Sequence, residues 1–271
     1  MTEHFIRKGV NGLYVGGSSG ECIYQSVAER KLVLESVVRQ AAGRIVIIAH
    51  VACNNTADSR ELAAHAQGLG VDAIAAIPPI YFKLPDRAIA KYWNDISAAA
   101  PNTDFIIYNI PQLAGVSLNT ALLQTMMKNP RVIGVKNSSA PVQDIDSWCR
   151  EGAIVFNGPD KQLLSGLVGG ACGGIGGTYG AMPALFLKIF SLFRENRIAE
   201  AREVQRACNQ AGRMLSSAQG SMYAVIKGVL RINEGIDIGG VREPLYNLTP
   251  EDAEAVEKAA AFIRELEKKY L

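Results

Sequence analysis

One lysine stands where an apolar strand should end. Val132-Ile133-Gly134-Val135 reads as a buried strand, and Lys136 closes it ahead of Asn137-Ser138-Ser139. Lysine is rarely buried without a partner. Burial penalises its charged form, and the neutral amine is a nucleophile that condenses with ketones to an imine. The same residue could instead pack its stem and send its head to water. Comparable strand ends carry Ser18-Ser19-Gly20-Glu21, His50, Pro79-Ile80-Tyr81, Tyr108-Asn109-Ile110-Pro111, Gly158-Pro159-Asp160 and Gly176-Gly177-Thr178. Tyr108 could exchange protons with a substrate if its phenol meets a cationic or hydroxyl partner, although a tyrosine that merely caps a barrel mouth is commoner. The turn at 18–21 offers N–H groups and two hydroxyls where a helix should begin. That is a seat for a carboxylate or phosphate, or an ordinary serine cap.

Other chemistries fit the sequence less well. His4, His50 and His65 are the only histidines and lack metal-ligand spacing, so a metal-dependent aldolase has too few ligands, and His50 reads as a hydrogen-bonded barrel residue. The glycines at 173–177 lack the third glycine of a dinucleotide fingerprint and lie late in the chain. No GxSxG elbow is present for a serine hydrolase.

The elements that must position these residues alternate. Apolar strands are expected at 12–17, 44–51, 73–79, 105–111, 132–138, 153–158 and 173–179, with helices between them, the first running directly from the 18–21 turn to Arg39. Alternation of this kind builds parallel βα units. The reading is therefore an α/β fold, a parallel (β/α)8-type barrel with seven βα units evident and its first strand expected to be missing. The chain opens on a helix end, with Gly9 suited to the left-handed position after it. After Arg194 the alternation stops, and three helices are expected near 196–217, 220–232 and 250–269, the last entered through Thr249 and Pro250. The expected division is a barrel at 1–194 and a three-helix extension at 195–271.

The bulk composition narrows the function classes. The chain has 271 residues, 48% hydrophobic and 20% charged, with a net charge of +2, which supports a large core and argues against nucleic acid or an anionic membrane as partner. Five scattered cysteines without a CxxC pair fit reduced thiols in a cytoplasmic protein. Residues 162–187 carry no charge, but eight glycines and Pro183 interrupt them, so a strand and helix explain the stretch better than a membrane span.

Taken together, GLYVGGSSGE (12–21), AHV (49–51), the PxY at 79–81, YNIP (108–111), GVKNSS (134–139), FNG-x-D (156–160) and GGIGGTY (173–179) resemble the N-acetylneuraminate lyase / dihydrodipicolinate synthase family of class I aldolases. The resemblance runs from about Phe5 to Lys269. It implies that Lys136 forms the Schiff base and Tyr108 shuttles protons. Ser18 and Ser19 would seat the keto acid's carboxylate, and Ser138, Gly158, Asp160 and Gly177 would line the substrate site. Tyr81 would approach from across a subunit contact in a homotetramer. It implies no cofactor and a small keto acid as ligand. Leu113 stands where the synthase branch has an arginine, which points to the lyase branch and to cleavage of a 2-keto sugar acid, N-acetylneuraminate first, to pyruvate and N-acetylmannosamine. Three departures bear on specificity: Lys161 replaces a glutamate, Gly177 a serine and Ser138 a threonine. The alternatives are dihydrodipicolinate synthase or another 2-keto acid aldolase or dehydratase, and an inactive paralogue that binds keto acids or only assembles.

Overall fold

The computed structural model describes residues 1–271. A short helix α1 (Thr2–Arg7) precedes seven strands: β1 (Gly12–Val15), β2 (Val46–His50), β3 (Ala73–Ala76), β4 (Asp104–Asn109), β5 (Val132–Asn137), β6 (Ile154–Asn157) and β7 (Gly173–Gly174). They pair in parallel in chain order, curling into a barrel wall open between β7 and β1. The crossovers are α2 (Val27–Ala41), α3 (Thr56–Gly68), α4 (Asp86–Ala98), α5 (Pro111–Ala114) with α6 (Thr120–Met126), α7 (Gln143–Arg150) and α8 (Leu163–Val168). The chain then continues through α9 (Pro183–Arg194), α10 (Ile198–Leu215), α11 (Met222–Glu234) and α12 (Ala253–Tyr270). The seven parallel strands and the helices after Arg194 are as the sequence predicts.

Strands buried on both faces read as apolar runs. One face of the sheet, with Ile47, Ile74, Phe105, Ile107, Val132, Val135 and Val155, packs on the crossover helices. The other encloses a smaller interior of Ile48, Ala73, Ala75 and Ile106, against which Tyr14, Ile133, Phe156 and Ile175 pack. A second apolar core joins α8 and α9 to α10, α11 and α12 through residues such as Leu167, Phe186, Ile189, Val204, Val229 and Ile263. The uncharged stretch 162–187 is divided among short elements, and no helix is long and apolar enough to cross a membrane.

Two expectations are corrected. The 18–21 turn does not open a helix: two 3-10 turns follow (Ser18–Gly20 and Cys22–Tyr24), and α2 starts at Val27. The reason is Ser26, which accepts from the Glu29 N–H while Glu29 accepts from the Ser26 N–H. This capping box fixes the N-cap of the helix eight residues after Ser18. The seventh strand, expected over 173–179, ends at Gly174. Beyond Ile175, whose N–H still reaches the Asn157 carbonyl at 2.9 Å, the chain leaves the sheet to pass close over Asp160.

Candidate active site

Lys136 faces the barrel interior because β5 is bulged. Phe105 pairs with Val132 but Ile106 pairs with Gly134, so Ile133 is an extra residue on the lysine strand. Side chains alternate faces along a strand, and one inserted residue reverses the alternation downstream. Val132 and Val135 therefore both face the helices, three residues apart, while Ile133 and Lys136 face inward. Gly134 permits this, since a Cβ there would overlap the Ile154 carbonyl oxygen of β6.

Downstream of the bulge, Tyr108 and Lys136 are register partners on adjacent strands. Their side chains meet in one layer: Lys136 Nζ lies 3.9 Å from the centroid of the Tyr108 ring and 4.1 Å from that of Tyr14. The two rings are nearly perpendicular (77°), so the nitrogen sits in an aromatic corner. Lys136 is 6% exposed and Tyr108 3%. Burial lowers the lysine's pKa from its usual 10.5, and the Tyr108 phenol and the Asp160 carboxylate pull it partly back. His50 stacks edge-on against Tyr108. Its Nδ1 lies 2.8 Å from the Gly16 carbonyl, and burial together with the Arg30 charge holds its pKa well below 6.5, so it is neutral here. His50 is thus the hydrogen-bonded barrel residue that the sequence suggests.

The remaining strand ends arrange themselves around this corner. Asp160 accepts from the Thr178 N–H at 2.6 Å and the Thr178 hydroxyl at 2.5 Å, and its carboxylate lies against Gly176, where a Cβ would collide with it. Burial raises its pKa while the Thr178 bonds lower it. Ser138 and Gly158 are in close contact, because a side chain at 158 would strike the Ser138 hydroxyl. An added Cβ at Gly177 would lie 3.6 Å from Ser19 Cβ and 3.5 Å from the Tyr223 ring, so the serine turn, the glycine run and α11 converge there. Ser18 heads the first 3-10 turn and is half-buried. Tyr81 stands apart: its φ is +89°, its ring is 91% exposed, and it packs edge-on against Phe82.

Three residues near the site, Tyr14, Tyr223 and Arg30, were not singled out from sequence, and Glu21 was named only as part of its turn. Tyr14 could have been, because alternation along β1 turns it inward between the half-buried Leu13 and Val15. Glu21 is 6% exposed, with a left-handed φ of 58°. Its carboxylate takes Lys227 Nζ at 2.7 Å and the Arg242 N–H at 2.6 Å, tying the serine turn to α11 and the segment after it. These contacts span more than two hundred residues and leave no local signal, and the same holds for Tyr223. Arg30, buried on α2, donates to the His50 and Ala52 carbonyls at 2.7 Å each.

Comparison with known proteins gives the family and the fold. The model of the dihydrodipicolinate synthetase family matches residues 1–262. The chain is 61% identical to an N-acetylneuraminate lyase of Mediterraneibacter gnavus, covering 100% of this chain and 87% of that protein. It is 35% identical to an N-acetylneuraminate lyase of Escherichia coli over 90% of this chain and 82% of the relative. Its fold superposes on a catalytic-lysine mutant of the Ruminococcus gnavus sialic acid aldolase with a TM-score of 0.99 at 61% identity, covering 100% of this chain and 90% of that one. A family match along nearly the whole chain, with relatives 61% and 35% identical to it, places this protein in the dihydrodipicolinate synthetase family.

Proposed function

We propose that this chain is a Schiff-base lyase that cleaves N-acetylneuraminate to pyruvate and N-acetylmannosamine. The observation that carries the reading is the buried Lys136 amine set against the Tyr108 phenol. The relatives above, named as N-acetylneuraminate lyases, supply the substrate.

The sugar acid's carboxylate sits at the Ser18–Ser19 turn, which brings the C2 ketone to Lys136. The neutral amine adds to C2, and the resulting carbinolamine loses water to give an iminium. Tyr108 takes the C4 hydroxyl proton and passes its own phenol proton to the substrate carboxylate as the C3–C4 bond breaks, and the electron pair moves into the iminium as an enamine. Protonation at C3 and hydrolysis release pyruvate. The iminium is itself the electron sink, so the reaction needs no cofactor. Ser138 and Gly158 close the pocket beside the reacting carbons, and Asp160 and Gly177 face the sugar hydroxyls. Tyr81, exposed in the single chain, fits a role across a subunit contact in a cytoplasmic homotetramer.

The test is to treat the folded protein with pyruvate and borohydride and map the modified peptide. A reduced pyruvyl adduct on Lys136 is expected, and an unmodified Lys136 overturns the reading. A second reading keeps the iminium and changes the aldehyde. Lys161 is exposed and pairs with no carboxylate, which favours an anionic aldehyde partner. Competing N-acetylmannosamine with anionic aldehydes in the aldol direction separates the two.

A further inference from the structure

Lysine chemistry in a barrel asks two opposite things of one pocket. The resting amine must be uncharged to attack, and the iminium that follows must keep its positive charge to act as the electron sink. Burial serves the first demand and opposes the second. Around Lys136 the groups within reach of Nζ include two aromatic faces, at 3.9 Å and 4.1 Å, of which Tyr108 also has the proton to manage. The Tyr14 hydroxyl is buried and meets no hydrogen-bond partner, so a polar contact does not explain where the ring stands. Space has been cleared for the ring, since a Cβ at Gly17 would come within 2.9 Å of Tyr14 Cε1.

We propose that Tyr14 is a further catalytic residue of this site, acting through its ring face: its quadrupole holds the nitrogen and stabilises the iminium formed on it. A cation over an aromatic face is attracted to the ring's negative quadrupole, and more strongly when water is excluded. The neutral amine gains little from such a face and the iminium gains fully, so Tyr14 shifts the balance from amine and ketone towards iminium and water. In that step the amine adds to C2, the C2 oxygen leaves as water after protonation, and the nitrogen keeps one positive charge. Cleavage of C3–C4 then neutralises that charge in the enamine. Tyr14 therefore favours imine formation and gives no help to bond breaking.

The inference rests on the Schiff-base reading of Lys136, and the test separates the two. Tyr14→Phe and its mono-, di- and trifluorinated phenylalanine counterparts, incorporated at position 14, keep the ring's shape while draining its quadrupole in steps. The rate of borohydride trapping with pyruvate is expected to fall in a graded series, by about fivefold from phenylalanine to the trifluorinated ring. KM should rise with it, kcat for cleavage should change less, and melting temperatures should stay level across the series. A flat series, or a loss complete at Tyr14→Phe with no further fall on fluorination, overturns the proposal. If the wild-type protein itself is not trapped, the Schiff-base reading fails instead.

Discussion

Gly134→Ala tests whether the bulge is what aims the lysine. The new Cβ would overlap the Ile154 carbonyl oxygen and lie 2.9 Å from the Ile154 carbonyl carbon and 3.0 Å from its Cβ. The first two are backbone atoms, so no rotamer relieves the contact. Normal van der Waals spacing requires β5 and β6 to separate by about 1 Å at this point. Gly134–Ile154 is the first pair of the β5–β6 ladder, and Lys136 stands two residues further along it. Overpacking against a rigid neighbour costs about 3 kcal/mol, which for a chain of this size lowers the melting temperature by about 5–10 °C. A reacting atom displaced by about 1 Å loses on the order of a hundredfold in rate. The assay is pyruvate–borohydride trapping followed by intact mass, run beside a thermal melt. Gly43→Ala is the control: its φ is +72°, so alanine is strained there, but nothing lies within 4 Å of the added Cβ and the site is remote. It should lose stability and still be trapped at the normal rate. If Gly134→Ala also keeps its trapping rate, the bulge does not position Lys136 and the reasoning fails.

Three further outcomes follow from the same geometry. The pH profile of trapping should rise and level off below 10.5, because burial lowers the Lys136 pKa; a plateau at or above 10.5 contradicts a buried amine. The same shift means that the folded protein binds fewer protons than the unfolded chain between the two pKa values. Stability contributed by this group therefore increases with pH across that window and is at its minimum below it. Tyr108→Phe should still be trapped by borohydride with pyruvate but lose about 10²- to 10⁴-fold in kcat for cleavage, measured by pyruvate release; equal loss of both would move its role to imine formation. Glu21→Gln should destabilise the protein by about 3 kcal/mol, since Lys227 is left largely buried without its carboxylate, and should raise KM for pyruvate by loosening the serine turn. A double-mutant cycle with Lys227→Met should recover much of the stability loss but not KM.

What the sequence could and could not reveal divides along one physical line. The alternation of apolar runs with helices makes the parallel barrel legible, because each βα unit must bury its own strand. Lys136 and Tyr108 are legible because a polar group at the end of an apolar run needs a reason to be there. Their side-by-side register is not, because it depends on Ile133 being an extra residue opposite β4. Strict alternation from Val132 would turn Lys136 towards the helices, where an uncharged amine could meet no ketone. The run VIGVK carries no mark of the bulge except Gly134, whose meaning depends on how closely the Ile154 carbonyl approaches from a strand about twenty residues later. The serine turn shows the same limit. Its composition is legible, but Glu29 places the helix start and Glu21 ties the turn to residues 227 and 242. Chemistry was readable wherever one residue type contradicts its own segment, and unreadable wherever its orientation is decided by a neighbouring segment. Lys136 is both cases at once: its presence is evident from the chain around it, while its direction is set by pairing with β4 and β6.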